Sequence, residues 1–189
     1  CVIVGFSVAT NNKLRRIYMD ERYQEVKNIN AYLIEAENAF IDSRSKPLCN
    51  VPAMSTGNRP ADGGNLIIEA EDYEDFISKE PKAKKYIKKL TGAVEFINNK
   101  NRYCLWLVGA NPAELRRMPE VMKRVEACRE DRLKGAVDRQ KLAETPTLFR
   151  ETKNPEKYII VPATSSERRR YVPIGFLEKD TIPTNSAII

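Results

Sequence analysis

The chain has 189 residues, of which 42% are hydrophobic and 31% are charged, with a formal net charge of +6. A chain of this length can build a core that is stable without metal ions or disulfide bonds. The sequence contains no histidine, which excludes Ser-His-Asp and Cys-His nucleophiles, an imidazole base and histidine metal ligands.

The first part of the chain combines two strand-like runs with a long irregular segment. Residues 1–8, CVIVGFSV, are apolar and β-branched and predict a buried strand. Lys13–Met19 predicts a second strand that forms a hairpin with the first through the turn Asn11-Asn12. Residues 28–62 are rich in turn formers and predict an irregular connector, with at most a short helix or strand near Ala31–Phe40.

The middle of the chain alternates turns, helices and strands. Asp62–Asn65 predicts a turn that leads into a short strand at Leu66–Ile68. Helices are expected at Glu71–Ser78 and Pro81–Leu90, and a hairpin is expected from strands Val94–Ile97 and Tyr103–Val108 around the turn Asn98–Asn101. Trp106 and Tyr103 are interpreted as core residues of the second of these strands.

Helices and then strands complete the chain. Helices are predicted at Pro112–Arg117, Pro119–Leu133 and Ala136–Leu142, and strands at Lys157–Val161, Tyr171–Leu177 and Thr181–Ile189. On the longest helix Val121, Met122, Val125 and Cys128 recur at helical spacing and predict the core stripe. The fold class expected is α+β, with mixed and antiparallel strands and several helices.

The cysteines and the hydropathy pattern indicate an intracellular protein. Cys1, Cys49, Cys104 and Cys128 form no C-x-x-C pair, so we interpret them as reduced and mostly buried thiols and expect no metal site. No apolar run has the length of a membrane span, and no signal-peptide pattern is present. We expect a cytoplasmic protein with no membrane partner.

The positive charge is concentrated in the second part of the chain. Residues 1–80 carry 9 Lys and Arg against 13 Asp and Glu, whereas residues 81–189 carry 23 against 13. The net charge is therefore −4 in the first segment and +10 in the second. A basic excess of this kind fits a nucleic-acid partner, although solvated helix faces explain it about equally well.

Motifs for catalysis are missing from the chain. The Asn/Asp-Pro-Pro-aromatic loop of amino-group DNA methyltransferases is absent, and its nearest strings begin at Asn111 and Asn154 and lack the second Pro and the aromatic residue. Asp62 with Glu80-Pro81-Lys82 matches a Mg²⁺ nuclease pattern formally, but Glu80 begins a charged segment and not an apolar strand. We expect no catalytic residue, cofactor site or metal site in this chain.

The string Ser165-Ser166-Glu167-Arg168-Arg169-Arg170-Tyr171 is the most distinctive candidate for DNA contact. Three consecutive arginines at a strand entry project to both sides of the strand. Arg reads guanine as a bidentate donor, and Glu accepts from cytosine N4. A solvated hairpin end with Glu167 paired to an Arg is the alternative that the string leaves open.

An ordered series of longer motifs resembles one enzyme family. GNRPADGGNLII (57–68), the segment from Glu80 to Pro119, RQKLAETP (139–146) and SSERRRYVPIGFL (165–177) resemble the C-terminal half of MmeI-like, Type IIL restriction-modification enzymes. These enzymes join an endonuclease region, an adenine-N6 methyltransferase domain and a target recognition domain. The resemblance implies that residues 1–27 are a remnant of the methyltransferase domain. Residues 28–189 are then a target recognition domain shortened at its C-terminus.

By this resemblance the chain binds double-stranded DNA and lies against the methyltransferase domain of the same polypeptide. The parent enzyme would use S-adenosylmethionine, with Mg²⁺ if it cleaves DNA, while this chain would hold no cofactor and be inactive alone. A structural domain that docks within the parent without reading bases is the alternative. The residues expected to contact DNA are Asn58, Arg59, Gly63, Gly64, Asn65, Lys123, Arg124, Arg129, Arg132, Ser165, Ser166, Glu167, Arg168, Arg169 and Arg170.

Overall fold

The computed structural model describes residues 2–6, 8, 14–40, 42–44 and 46–189. It divides into two compact units, Cys1–Val51 and Pro52–Ile189. The strands among these residues are β1 (Arg15–Met19), β2 (Arg22–Val26), β3 (Ile67–Glu69), β4 (Ile87–Thr91), β5 (Arg102–Leu105), β6 (Lys157–Pro162), β7 (Gly175–Glu178), β8 (Thr181–Pro183) and β9 (Ala187–Ile188). The α-helices are α1 (Tyr73–Lys79), α2 (Ala93–Asn98), α3 (Pro112–Leu115), α4 (Pro119–Leu133) and α5 (Val137–Lys141).

The first unit contains an antiparallel hairpin of β1 and β2. Arg15 pairs with Val26 and Met19 with Arg22, so two residues form the turn, and Asp20 adopts the left-handed conformation with φ +54°. The strand predicted over 13–19 is confirmed at β1, but its partner is β2 and not the opening run. Residues 2–6 and 8 are exposed and form no strand. An apolar, β-branched run becomes a strand only where a partner strand is available to it.

Two parts of the predicted first hairpin lie outside the described residues, namely Cys1 with Ser7 and the turn Asn11-Asn12. The connector prediction agrees with the structure. The described residues between β2 and β3 contain turns and two isolated bridges, Thr56 to Ile188 and Asn58 to Thr184, but no helix or longer strand.

The core of the second unit is built on a four-stranded sheet in the order β3-β5-β4-β8. The β3–β5 and β5–β4 pairs are antiparallel, and β4 pairs with β8 in parallel, with Leu90 opposite Ile182. Leu66, Ile68, Leu90, Leu105 and Ile182 are all fully buried in one cluster. The α+β class with mixed strands is therefore confirmed.

The longest helix, α4, has the boundaries that the sequence predicts. Pro119 occupies its first turn, where the missing N–H costs nothing, and Val121, Val125 and Cys128 are buried in the core cluster. Trp106 is also buried, with its ring edge-on to Phe149 at a centroid distance of 5.5 Å. The predicted core stripe and the core position of Trp106 are both confirmed.

Two predicted elements around the lysine-rich segment are wrong. Pro81–Leu90 is not one helix, because Pro81–Tyr86 forms a 3-10 helix and the chain then enters strand β4. Val94–Ile97 is not a strand but part of helix α2, whose first turn is closed by Glu95 accepting a hydrogen bond from the Gly92 N–H at 2.9 Å. The predicted hairpin around 98–101 is therefore a helix-to-strand connection.

A second, three-stranded sheet has the order β7-β6-β9. Ile159 pairs with Phe176 across β6 and β7, and Pro162 pairs with Ala187 across β6 and β9. The strand predicted over 171–177 begins only at Gly175. The strand predicted over 181–189 is interrupted after Pro183, so that β8 joins the four-stranded sheet and β9 joins this one.

Most of the thiols were expected to be buried, and two of the three that the structure describes are buried. Cys104 and Cys128 are free and buried, whereas Cys49 is free and exposed. Burial raises the pKa of Cys104 to about 12 and that of Cys128 to about 11. Among the described residues no helix is long and apolar enough to cross a membrane.

Candidate nucleic-acid interface

The segment before β3 is anchored by a buried asparagine. Asn58 is 0% exposed, and its side-chain amide donates to the Lys153 carbonyl at 2.8 Å and to the Pro183 carbonyl at 3.0 Å. Its side-chain oxygen accepts from the Lys153 N–H at 2.7 Å. All three bonds tie separate parts of the chain together. Asn58 cannot reach DNA in this conformation, so the predicted contact is corrected to an anchoring role.

The tip of the same segment is a tight turn shaped by Asp62. The buried Asp62 carboxylate accepts from the Gly64 N–H at 3.1 Å and from the Leu66 N–H at 2.6 Å. Gly63 and Gly64 follow in left-handed conformations, with φ +64° and +84°. Both glycines are exposed and Asn65 is half-buried, so the turn presents a backbone tip at the surface.

Helix α4 brings two basic residues to this tip. Lys123 is exposed, and the Arg124 guanidinium donates to the carbonyls of Asn65 and Ile67, each at 3.0 Å. Gly63, Gly64, Asn65, Lys123 and Arg124 line one shallow surface depression of about 280 Å³, together with Glu120 and Ala127. The structure thus brings together two groups of predicted DNA-contacting residues, Gly63–Asn65 and Lys123–Arg124. The hydrogen bond from Arg124 to the Asn65 carbonyl spans 59 residues of sequence.

Arg132, on the same helix, lies inside the protein. Its side chain is 0% exposed and donates five hydrogen bonds to backbone carbonyls, with no carboxylate among their acceptors. These carbonyls belong to Pro60, Ala61, Leu142, Thr145 and Leu148. The predicted DNA contact of Arg132 is therefore corrected: the side chain holds two loops against α4.

Two further basic candidates are exposed but lie in other surroundings. Arg129 forms an i,i+3 ion pair with Glu126 at 3.2 Å and lines a different depression, of about 570 Å³. Arg59 has an exposed side chain, while its backbone N–H donates to the Glu151 carboxylate at 2.8 Å and its carbonyl accepts from Arg150 at 2.9 Å. Their guanidinium groups reach solvent.

The string Ser165–Arg170 forms part of the loop that joins β6 to β7. Every residue from 163 to 172 is exposed, and the loop turns at Glu167 and Arg168, with the Arg169 N–H donating to the Ser166 carbonyl at 3.1 Å. The arginines precede the strand by several residues, which corrects their predicted position at a strand entry. Within the described residues no carboxylate lies at ion-pair distance from Arg168, Arg169 or Arg170, and Glu167 is not paired to any of them.

Sequence reasoning found the turn of this surface and missed another feature. The turn predicted at Asp62–Asn65 is confirmed, with the Asp62 carboxylate accepting two backbone hydrogen bonds. The part of the chain that the structure describes holds no group of three or more Cys, Asp or Glu placed to bind a metal ion. The exposed apolar residues beside the arginine loop were not recognised as a surface feature.

The chain is similar to DNA-modifying proteins in both its fold and its sequence. The fold is that of a target recognition domain of a DNA-modifying enzyme: it superimposes on the Type IIL restriction-modification enzyme MmeI, solved in complex with DNA. That match has a TM-score of 0.78 and 38% identity, and it covers 88% of this chain and 23% of that one. The family model "MmeI, target recognition domain" matches residues 35–189, and the chain belongs to this family.

A curated relative extends the match to almost the entire chain. "DNA methyltransferase A" of Bacillus subtilis (strain 168) is 40% identical over 186 residues, which is 97% of this chain. The chain spans only 21% of the length of that relative. The family suggested by the motif series is therefore confirmed.

Proposed function

We propose that this chain is the DNA-binding module that selects the target sequence for an adenine-N6 methyltransferase. Its family, a relative named as a DNA methyltransferase and a related structure solved with DNA support this proposal. The chain would position a duplex so that a methyltransferase domain of the same polypeptide can methylate adenine with S-adenosylmethionine. The parent enzyme would require Mg²⁺ only if it also cleaves DNA.

The exposed loop 163–174 is the observation that carries the proposal. It holds three consecutive arginines whose guanidinium groups face no carboxylate partner within the described residues. Unpaired arginines on a loop held by two paired strands are suited to phosphate oxygens and guanine edges. The strands β6 and β7 fix both ends of the loop, so the arginines are presented by a rigid support.

The proposed contacts divide into two kinds. Glu167 and Arg168–Arg170 would approach base edges, with Ser165 and Ser166 beside them, because these side chains are exposed on one loop. The residues proposed to hold phosphates are Arg59, Lys123 and Arg129, with the backbone tip Gly63–Asn65. Arg124 would position this tip through its two carbonyl bonds.

Residues 1–27 are proposed to belong to the neighbouring methyltransferase domain. They contain the β1–β2 hairpin, in which only Val26 is buried. An isolated two-stranded hairpin is marginally stable in water, so these strands need a neighbouring surface. The Tyr18 and Tyr23 rings, 5.6 Å apart and exposed, are suited to such a contact.

Binding of the chain to duplex DNA across a salt series tests the function. A random-sequence duplex pool first yields the sequences that the chain retains. The affinity for an enriched duplex should then fall steeply between about 50 and about 200 mM NaCl, because each neutralised phosphate contributes about −0.9 to the logarithmic slope. Arg169→Ala should reduce that slope by about one if Arg169 binds phosphate, or relax the base preference at one position if it reads a base.

Arg16→Ala is the matched control, because Arg16 is also exposed but is already paired with Glu25 at 2.9 Å outside the proposed surface. This variant should bind DNA as the parent chain does. An affinity that ignores salt would contradict the proposal. Binding to a methyltransferase domain but not to DNA would establish the structural alternative instead.

A further inference from the structure

The sheet β7-β6-β9 has one covered face and one exposed face, and the exposed face carries an apolar pair next to the charged pair of Lys157 and Glu178. Tyr158, Ile160 and Leu177 point toward the covered face, where Phe96 of α2 packs against the cluster that Tyr158 and Ile160 form with Ala187. Ile159 and Phe176 point to the opposite face and are 48% and 83% exposed. A solvated sheet face normally carries polar residues at such positions, so an apolar pair here indicates a binding surface.

The register of β7 fixes Phe176 on the exposed side. Gly175 lies against the Phe96 ring, and a Cβ at this glycine would come within 2.6 Å of a ring carbon. Because side chains alternate along a strand, the next residue, Phe176, faces away from α2. Its cross-strand partner is Ile159, on the same exposed face. The exposed pair is thus a consequence of how β7 packs.

The apolar surface continues into the arginine loop. Tyr171, Val172 and Ile174 are exposed in the last part of the loop, immediately before β7. Arg170 lies over the Tyr171 ring at 5.5 Å. The loop carries three arginines against a single acidic residue, Glu167, so this end of the apolar surface has a net positive charge.

We propose that Phe176, with Ile159 and Ile174 beside it, is an apolar wedge that enters the DNA minor groove next to the arginine loop and unstacks one base step. This inference rests on the proposed DNA-binding function. Apolar side chains flanked by arginines are the means by which minor-groove proteins open a base step, and a narrow minor groove attracts arginine. The positive loop favours DNA over an apolar protein partner as the occupant of this face.

Fluorescence of 2-aminopurine tests the wedge directly, because the signal of this base analogue rises when it is unstacked. The probe is the duplex enriched from the random pool, with 2-aminopurine placed at one position at a time. Binding of the chain should raise the fluorescence severalfold at one base step. Phe176→Ser should abolish this rise and weaken binding by about tenfold, since the contribution of a buried phenylalanine side chain is lost. The slope of affinity against salt should stay unchanged.

Val137→Ser is the control, because Val137 is 68% exposed on α5 and lies outside the apolar surface. This variant should keep both the affinity and the fluorescence rise. Tight, salt-dependent binding without unstacking at any position would overturn the wedge and leave the proposed function intact. A fluorescence rise that persists in Phe176→Ser would also overturn it, as would a dimer of the chain that Phe176→Ser dissociates. Failure to bind any duplex would overturn the proposed function itself.

Discussion

Replacing Arg132, the buried arginine of α4, should destabilise the second unit more than replacing any other charged residue of this helix. In Arg132→Met the side-chain volume is nearly kept, but five carbonyls lose the guanidinium as a donor, and among the described residues only those of Leu142 and Thr145 keep a backbone donor. The donor–acceptor distances of these bonds lie between 2.6 and 3.1 Å. All five are therefore within the range of well-formed hydrogen bonds.

The magnitude follows from two opposing contributions. Each hydrogen bond from a charged donor contributes about 1.5 to 3 kcal/mol to stability. Against this, burying the guanidinium costs several kcal/mol, and the methionine variant avoids that desolvation cost. Some of the freed carbonyls lie in loops and can bind water instead. The expected loss of unfolding free energy is about 4 kcal/mol, a large fraction of the stability of an ordinary domain.

Urea denaturation followed by tryptophan fluorescence measures this loss. Trp106 is the single tryptophan and packs on Phe149, which directly follows one of the residues held by Arg132. Arg129→Met is the matched control one turn earlier, and its exposed ion pair should contribute less than about 0.5 kcal/mol. A loss below about 1 kcal/mol in Arg132→Met would refute the reasoning, because the buried guanidinium would then be dispensable.

The structure also predicts the effect of substituting two glycines and the reactivity of two buried cysteines. Gly63→Ala should cost about 2 to 3 kcal/mol in the same denaturation assay, because φ is +64° and the new Cβ would lie 2.5 Å from the Asp131 carboxylate carbon. Gly64→Ala, with open space around it, should cost only about 1 kcal/mol, and equal costs would contradict the steric argument. Cys104 and Cys128 should resist alkylation until the unit unfolds, which peptide mapping detects. Burial raises their pKa values above the ordinary thiol pKa of 9.0, so unfolding above pH 9 releases protons and stability should fall from pH 9 upward. A stability that rises over this range would contradict the burial of the two thiols.

Elements with strong local signals were predictable from the sequence. Helix α4 has a proline in its first turn and an apolar stripe at helical spacing, and its observed limits are the predicted ones. The segment at 87–91 lacks such a signal, because its lysines suit a helix while its strand conformation depends on pairing with both β5 and β8. Helix α2 was mistaken for a strand because its short apolar run has no clear period.

The candidate site was predictable in composition but not in burial. Arg129 and Arg132 occupy the same helix with the same chemistry, yet one is exposed and the other fully buried. The distinction depends on the carbonyls of distant loops, which no local pattern reveals. Asn58 shows the same limit, since its three bonds reach Lys153 and Pro183. Exposed positions on loops, such as Arg168–Arg170, depend less on distant partners: all three lie at the surface, although in a loop and not at the predicted strand entry.

The parallel pairing of β4 with β8 bears on how the chain acquires its structure. Leu90 and Ile182 are neighbours in this ladder, although more than 90 residues of chain separate them. During synthesis, strand β4 therefore leaves one edge open until β8 emerges from the ribosome, and closing such a long loop slows folding. Two lysines on this strand, the half-buried Lys88 and the exposed Lys89, reduce the risk that the waiting edge recruits another chain.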